Sequence, residues 1–258
     1  MKLSCCVWAV SGEDSVVAEK MRSLGFDWID IRPFDLRSAD SKRMIDDKRL
    51  RVSCIGASFG LPEGATMDAV AKGDAGRSLD HISGAIAHGN AMGASIAYVV
   101  PEMDGSKEGL ARYSEVLVAA ADQAQKLGMK LCIEHFPEKA LPTARGTLEY
   151  IRGLGHPNVF LLMDTGHLQI SGEDPVATIE DAGDALGYVH LDDNDGEGDL
   201  HLALLDGVLK VEVLSDTLAA LGNVGYTGAV SLELNPGLPD PIAALRRSRE
   251  IVLDVIKQ

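Results

Sequence analysis

The chain has 258 residues, of which 46% are hydrophobic, and a formal net charge of −15 at pH 7. This size suits one large hydrophobic core, and no linker or low-complexity stretch marks a boundary, so we expect a single domain over 1–258. The acidic balance argues against a nucleic-acid partner, because neutralising phosphates over a broad surface requires clustered Lys and Arg. No segment of the sequence approaches a transmembrane span, so no membrane partner is expected.

The four cysteines indicate a reducing compartment. Cys5, Cys6, Cys54 and Cys132 all fall in predicted strands, without the Cys-x-x-Cys or histidine spacing of a structural zinc site. Buried, unpaired thiols are typical of proteins that stay reduced. The apolar N-terminus favours a first strand over a signal peptide, because no small-residue cleavage site follows it. We therefore expect a cytoplasmic protein.

Short apolar runs of strand length recur along the whole chain. Their length and composition are typical of buried β-strands. The predicted strands cover about 2–8, 26–33, 51–58, 94–100, 130–136, 159–164, 187–191 and 229–234.

A helical pattern follows each predicted strand. Apolar residues recur at helical spacing from Leu110 to Leu127, and Gly128 ends that helix. Asp174-Pro175 pairs a capping residue with a first-turn proline. The other predicted helices cover about 13–24, 38–48, 68–91 and 211–221, and two more begin near Thr143 and Pro241.

Eight alternating strands and helices at this length predict an α/β fold, a single (β/α)₈ TIM barrel. The alternative is a doubly wound open sheet, which usually has a glycine-rich turn after its first strand. That turn here is Ala9-Val10-Ser11-Gly12-Glu13, which lacks the glycine pattern. The barrel is therefore the preferred prediction.

Predicted strands five to eight each close on a residue that can bind a metal. These residues are Glu134, Asp164, His190 and Glu233. A carboxylate at the end of a buried strand is costly unless its charge is compensated. In a TIM barrel these strand ends meet at the C-terminal face, where active sites lie. Three carboxylates and one imidazole suit Mn²⁺, Mg²⁺ or Co²⁺, and Zn²⁺ is compatible. We predict one divalent metal ion shared by all four.

Such a metal suggests enolisation chemistry. A divalent ion chelated by a carbonyl and a neighbouring hydroxyl acidifies the adjacent C–H bond and stabilises the enediolate left by deprotonation. Glu134 and Glu233 come from strands that are not neighbours, so they can flank a substrate. One would take a proton and the other would deliver it.

The motifs of the second half are similar to those of the sugar phosphate isomerase/epimerase superfamily of xylose isomerase-like TIM barrels. The resemblance is specific over about 130–236, and before that it depends mainly on strand order. Branches of that superfamily include ketose 3-epimerases, hydroxypyruvate isomerases, inosose dehydratases and AP-site endonucleases. The matching motifs are Glu134-His135, Met163 to His167, Val189 to Asp193, His201, Gly225 to Gly228 and Leu232-Glu233.

The resemblance implies roles for the residues of the site. It implies that the four strand-end residues are metal ligands and that Glu134 and Glu233 are the acid/base pair. His167 would contact substrate oxygens or a further metal, and His201 would lie at the substrate. The expected activity is metal-dependent isomerisation or epimerisation of a small ketose or keto-polyol through an enediolate.

Three further residues are candidates for substrate binding. Arg32, at the end of strand two, can bind a substrate phosphate or carboxylate, or can instead pair with Asp30. Trp8 can form an apolar wall, and Glu138 follows in the loop over the site. The pair Asp192-Asp193 is expected in a solvated acidic loop, where one carboxylate can orient a histidine.

Three other functions stay open from the sequence. A metal-dependent dehydratase of a keto-polyol or dehydroshikimate-like acid needs the same enediolate, with a hydroxyl group leaving. An AP-site endonuclease needs histidines at the ends of strands three and four, where this chain has Ile55 to Ser58 and Val99 to Glu102. A non-catalytic sugar-binding barrel has no need of four buried charges. A phosphorylated or free substrate and a homodimer both remain compatible with the sequence.

Overall fold

The computed structural model describes residues 1–256, which form a (β/α)₈ barrel. The strands are β1 (Lys2–Cys5), β2 (Trp28–Ile31), β3 (Arg51–Gly56), β4 (Ile96–Val99), β5 (Lys130–Glu134), β6 (Val159–Asp164), β7 (Leu186–Leu191) and β8 (Ala229–Leu232). The helices are α1 (Asp14–Ser23), α2 (Ser41–Asp47), α3 (Lys72–Met92), α4 (Lys107–Lys126), α5 (Ala144–Leu154), α6 (Thr165–Ser171), α7 (Pro175–Ala182), α8 (Val211–Asn223) and α9 (Pro241–Ile256).

All neighbouring strands are parallel, in the order β1-β8-β7-β6-β5-β4-β3-β2. One parallel bridge, between Cys6 and Asp30, joins the two ends of this sheet. The predicted TIM barrel is therefore confirmed, and the open-sheet alternative is wrong. Closure brings the carboxyl ends of all eight strands to one face of the molecule.

Side chains of alternating strand residues fill two separate apolar regions. One region lies between the strands and the surrounding helices, and it includes Ile29, Leu131 and Val230. The second lies inside the barrel, where the aromatic rings of Tyr98 and Tyr188 are fully buried. Polar groups inside the barrel are consequently far from bulk water, which strengthens their mutual interactions.

Two capping predictions are confirmed in detail. The side chain of Thr143 accepts a hydrogen bond from Gly146 N at the start of α5. Asp174 accepts one from Ala177 N at the start of α7, directly before Pro175. All four cysteines are buried and unpaired, as expected.

The first predicted strand is too long. It ends at Cys5, and Val7–Ala9 form a short 3-10 helix. The indole of Trp8 donates a hydrogen bond to Glu233 Oε1 at 2.8 Å, which holds this turn over the mouth of the barrel. The third predicted helix also begins later than expected, at Lys72.

Helix α6 was not predicted from the sequence. It begins directly after β6, and Asp164 is its N-cap residue, accepting a hydrogen bond from His167 N at 2.8 Å. A helix of seven residues is too short to show a clear periodic pattern. The cap places His167 one turn beyond Asp164, on the same side of the barrel mouth.

Candidate active site

The four predicted metal ligands meet at the C-terminal face of the barrel. Glu134 and Asp164 are the last residues of β5 and β6, His190 is the penultimate residue of β7, and Glu233 directly follows β8. All four are buried, and one ligand atom from each lies within 4.8 Å of the other three. The structure thus brings together the complete set that the sequence indicated.

The three carboxylates converge on one nitrogen of His190. The Nδ1 atom lies 3.0 Å from Glu134 Oε1, 2.6 Å from Glu233 Oε2 and 3.8 Å from Asp164 Oδ2. Among residues 1–256, the contact with Glu134 has full hydrogen-bond geometry, whereas Asp164 Oδ2 and Glu233 Oε2 are buried without a well-aligned hydrogen-bond donor. Within residues 1–256, no Lys or Arg forms an ion pair with any of these carboxylates.

This arrangement fits a divalent cation. One imidazole proton cannot compensate three converging carboxylates, and an uncompensated buried charge is expensive. Hard oxygen donors with a single imidazole are a donor set that Mn²⁺, Mg²⁺ and Co²⁺ accept, and Zn²⁺ also tolerates. The two oxygens that lack a donor are in the position to coordinate it.

The two glutamates of the site differ in proton affinity. Burial raises the pKa of Glu134. Burial acts in the same direction on Glu233, but the charge of His190 and the hydrogen bond from Trp8 outweigh it and lower the pKa of Glu233 to about 2. Two carboxylates whose environments separate their pKa values are suited to opposite roles in proton transfer.

A second polar group lies beside the first. His167 Nε2 lies 3.4 Å from Asp199 Oδ1, and His201 Nε2 lies 3.2 Å from the same oxygen. His167 Nδ1 is within hydrogen-bond distance of the carbonyl oxygen of His135, at 2.8 Å, and His201 Nδ1 lies 2.8 Å from Asp192 Oδ2. Both rings are therefore fixed from two sides.

These neighbours keep both histidines protonated. Burial alone would lower the pKa of His167, but Asp164 and Asp199 raise it to about 10. Burial is likewise outweighed at His201, where Asp192 and Asp199 raise the pKa well above its usual range. Nδ1 of each ring faces a protein acceptor, so a substrate oxygen can accept a hydrogen bond from either ring only at Nε2, in competition with Asp199.

A cavity of about 380 Å³ opens onto this site. Its polar lining consists of Glu134, Glu233, His167, Asp199, His201 and Asn235, whereas the metal-site residues Asp164 and His190 do not line it. No Lys or Arg is among the described residues that line this cavity. Its apolar wall consists of Trp8, Phe59, Val100, Phe136, Leu234 and Pro236.

Phe59 reaches the cavity because the end of β3 is a glycine. A Cβ atom on Gly56 would lie 2.5 Å from the ring of Phe59, which is too close for any other residue. The ring packs against Trp8, with the ring centroids 5.3 Å apart. Where an AP-site endonuclease needs a histidine ligand, the end of this strand therefore makes room for an aromatic wall.

Two predicted substrate-binding residues lie outside this cavity. Arg32 is held by Asp35 through two hydrogen bonds of 3.0 Å, and it lines a smaller neighbouring cavity of about 200 Å³. Its alternative pairing with Asp30 is wrong, because Asp30 is fully buried inside the barrel. Glu138 is exposed in the loop after β5 and is not part of the lining.

The expectation for Asp192 and Asp193 is also wrong in one respect. Both side chains are fully buried instead of solvated. Asp193 accepts hydrogen bonds from Gly207 N and Leu209 N and thereby shapes the loop after β7, whereas Asp192 lies against His201. The acidic residues around this pair are typical of a surface loop. Its burial depends on backbone N–H donors of a later segment, which the local sequence does not indicate.

Comparison with known proteins supplies the family. The family model "Xylose isomerase-like TIM barrel" matches residues 18–253, so the chain belongs to this family. An L-ribulose 3-epimerase of Mesorhizobium japonicum is 27% identical over 244 residues, covering 88% of this chain and 78% of that protein. A putative hydroxypyruvate isomerase of Streptomyces coelicolor is 36% identical over 140 residues, covering 50% of this chain and 47% of its own length.

Solved structures agree on the fold. A 3-keto-D-glucoside 4-epimerase from E. coli superposes with a TM-score of 0.84 at 18% identity, covering 98% of this chain and 99% of that one. The predicted family is therefore confirmed, and so is the prediction of an isomerase-class enzyme. Among the described residues, no helix has the length and apolar character needed to cross a membrane.

Proposed function

We propose that the chain is a divalent-metal-dependent epimerase or isomerase that acts on a small ketose or keto-polyol. One observation supports this assignment most directly. Of the four buried groups that can hold a metal, Glu134 and Glu233 also line the cavity, while Asp164 and His190 lie behind them. Two carboxylates are thus in reach of a bound substrate and of the cation at once.

The proposed chemistry is proton transfer next to a carbonyl group. A bound divalent ion supplies Lewis-acid polarisation of that carbonyl and of its neighbouring hydroxyl. Glu233 has a lowered pKa because positive charge lies beside it, so it is ionised and removes the C–H proton. Glu134, whose pKa is raised, delivers a proton to the opposite face of the same carbon. The configuration at that carbon is inverted, and the two glutamates exchange roles in the reverse reaction.

The remaining polar residues of the cavity suit a substrate with several hydroxyl groups. The Nε2 atoms of His167 and His201 both lie next to Asp199 Oδ1, and we infer that a substrate hydroxyl group shares these N–H donors with Asp199. Trp8 and Phe59, whose rings are inclined by 46°, form an apolar wall for the C–H face of a sugar. These contacts support the proposed substrate-binding roles of His167, His201 and Trp8.

The charge of the cavity favours a substrate without a phosphate group. Its lining combines three carboxylates with two histidines and includes no Lys or Arg among the described residues. Both histidines are already paired with aspartates, so among the described residues the lining offers no unpaired cationic side chain of the kind that phosphate sites use. We therefore propose a free sugar or keto-polyol as the substrate.

Dehydration is the second candidate, and it is favoured by one specific feature. His201 borders the cavity and is fixed by two aspartates, so its ring is placed to hydrogen-bond a leaving hydroxyl group. Two relatives that align over 88% of the chain are nevertheless L-ribulose 3-epimerases, which places epimerisation first.

Solvent-exchange NMR tests the proposal. The protein is stripped with a chelator, reloaded with Mg²⁺, Mn²⁺ or Co²⁺, and incubated in D₂O with unphosphorylated ketoses, keto-acids and inososes. We expect deuterium at the carbon next to the carbonyl only when metal is present. Net loss of water from an inosose, without exchange in any ketose, would favour the dehydratase. Exchange that proceeds equally in the stripped protein would contradict metal dependence.

A further inference from the structure

A further buried carboxylate lies inside the barrel, beneath the proposed metal centre. Asp30, in the middle of β2, is fully inaccessible to solvent. Among residues 1–256, its ion-pair contact is with His190, and no Lys or Arg pairs with it. The charge of a buried carboxylate needs compensation. Asp30 has no part in the proposed proton transfer, so its burial next to His190 must serve another purpose.

Three hydroxyl groups hold one oxygen of this carboxylate. Asp30 Oδ1 accepts hydrogen bonds from Ser4 Oγ at 2.8 Å and from Tyr188 Oη at 2.7 Å, and it also accepts one from Ser53 Oγ. Its other oxygen, Oδ2, has only a weak 3.9 Å contact with the thiol of Cys6. The carboxylate is thereby clamped with Oδ2 free to face His190.

The ring of His190 presents its second nitrogen to that free oxygen. Nδ1 faces the three carboxylates of the metal site, whereas Nε2 has no hydrogen-bond partner and lies 3.8 Å from Asp30 Oδ2. The rings of Tyr98 and Tyr188 pack edge-on against the imidazole, at centroid distances of 5.3 Å and 5.7 Å. Tyr188 thus contacts His190 and anchors Asp30 at the same time.

We propose that Asp30 is a positioning residue for metal binding: it accepts a hydrogen bond from Nε2–H of His190 and so keeps the lone pair of Nδ1 directed at the cation. This inference rests on the proposed metal centre. Closing the 3.8 Å gap to hydrogen-bond length requires a movement of roughly 0.6–1 Å. A carboxylate behind a ligating histidine fixes its tautomer and orientation and increases its basicity.

The substitution Asp30→Asn tests this role with little change in volume. The three hydroxyl donors retain an amide oxygen on their side, which turns the amide NH₂ toward Nε2 of His190. An acceptor is thereby replaced by a donor facing another donor. We expect the Kd for Mn²⁺, measured by EPR of the free ion, to rise by about 10- to 100-fold, the range for such outer partners of a ligand.

Two further variants separate positioning from simple charge. Glu173→Gln removes an equal charge from a carboxylate that caps the start of α5, and it should bind Mn²⁺ as the wild type does. Tyr188→Phe keeps the charge of Asp30 but removes one hydroxyl of the clamp, and we expect a Kd about 3- to 10-fold higher, following the loss of one hydrogen bond. If Tyr188→Phe binds like the wild type, Asp30 acts through charge alone and the inference fails.

Titration of the wild type with Mn²⁺ distinguishes failure of the proposed metal centre from failure of the role of Asp30. Failure of the wild type to bind any divalent ion would overturn both the metal centre and the role of Asp30. One bound ion per wild-type chain, with unchanged affinity in a folded Asp30→Asn, would overturn only the inference. Two ions per chain, one lost in that variant, would also overturn it, because Cys6, Asp30 and His190 would then be ligands themselves.

Discussion

The two halves of the barrel contribute different things to the same cavity. Strands β5 to β8 supply every proposed metal ligand, and each ligand lies at or next to a strand end. Strands β1 to β4 and their loops supply no proposed metal ligand and contribute only Trp8, Phe59 and Val100, which are half of the apolar wall. Strand ends in the two halves have the same geometry, so their different roles come from side-chain chemistry. The second half supplies the groups of the proposed reaction, and the first half contributes part of the cavity wall that would contact the substrate.

The largest expected effect tests whether the chemistry belongs to the second half. Glu233→Gln removes the proposed base and one metal ligand while keeping the side-chain volume. We expect kcat/KM for deuterium exchange to fall by about 10³-fold or more, given the usual contribution of a general base. The matched control is Glu102→Gln, a partly buried carboxylate just after β4 that accepts a hydrogen bond from Met67 N. A comparable loss of kcat/KM in Glu102→Gln would show that the effect is not specific to the carboxylates of the second half.

His201 allows the next comparison, within the second half itself. The residue has a left-handed backbone, with φ of 46°, which asparagine adopts readily. We expect His201→Asn to lower kcat/KM by roughly 10- to 100-fold, because a charged donor to the substrate is lost. His156→Asn, a change at a partly exposed histidine paired with Asp122, should leave kcat/KM unchanged. An unaffected His201→Asn enzyme would exclude a role for this ring in substrate binding.

Metal binding should also stabilise the protein, because it neutralises the charges that the second half buries. At a metal concentration of 100 times Kd, linkage predicts about 2.7 kcal/mol of added stability. For a chain of this size that corresponds to a rise in Tm of roughly 5–10 °C, measured by thermal denaturation with and without chelator. Glu134→Gln should show a smaller rise. An identical Tm in chelator and in metal would argue against a resident cation.

The smallest expected effect concerns a hydrogen bond that links the two halves of the barrel at this site. Trp8→Phe keeps the aromatic wall but removes the indole donor to Glu233. Since that donor lowers the pKa of Glu233, its loss raises the pKa, and the acidic limb of the rate profile moves to higher pH, by about 1 unit. Trp28→Phe, which alters the other tryptophan, should not move this limb. A shift in the opposite direction would contradict the proposed role of Glu233 as base.

Much of the fold and the centre of the site were predictable from the sequence. Strands and helices alternate with clear periodicity, and Glu134, Asp164, His190 and Glu233 each follow an apolar run, so their convergence follows from barrel closure. Arg32 and Glu138 were less predictable. Arg32 pairs with Asp35, three residues further along, and the turn after β5 exposes Glu138; neither outcome depends on strand periodicity.

The sequence by itself determined the order of the elements and the residue types at the strand ends, because those features depend on neighbouring residues along the chain. Only the tertiary structure decided which distant groups meet. Trp8 reaches Glu233 across 225 positions, and Tyr188 reaches Asp30 across 158. Asp192 and Asp193 are buried by a segment that returns over them. Hydrogen bonds of this kind have no local pattern, since their partners come into contact only when the barrel closes.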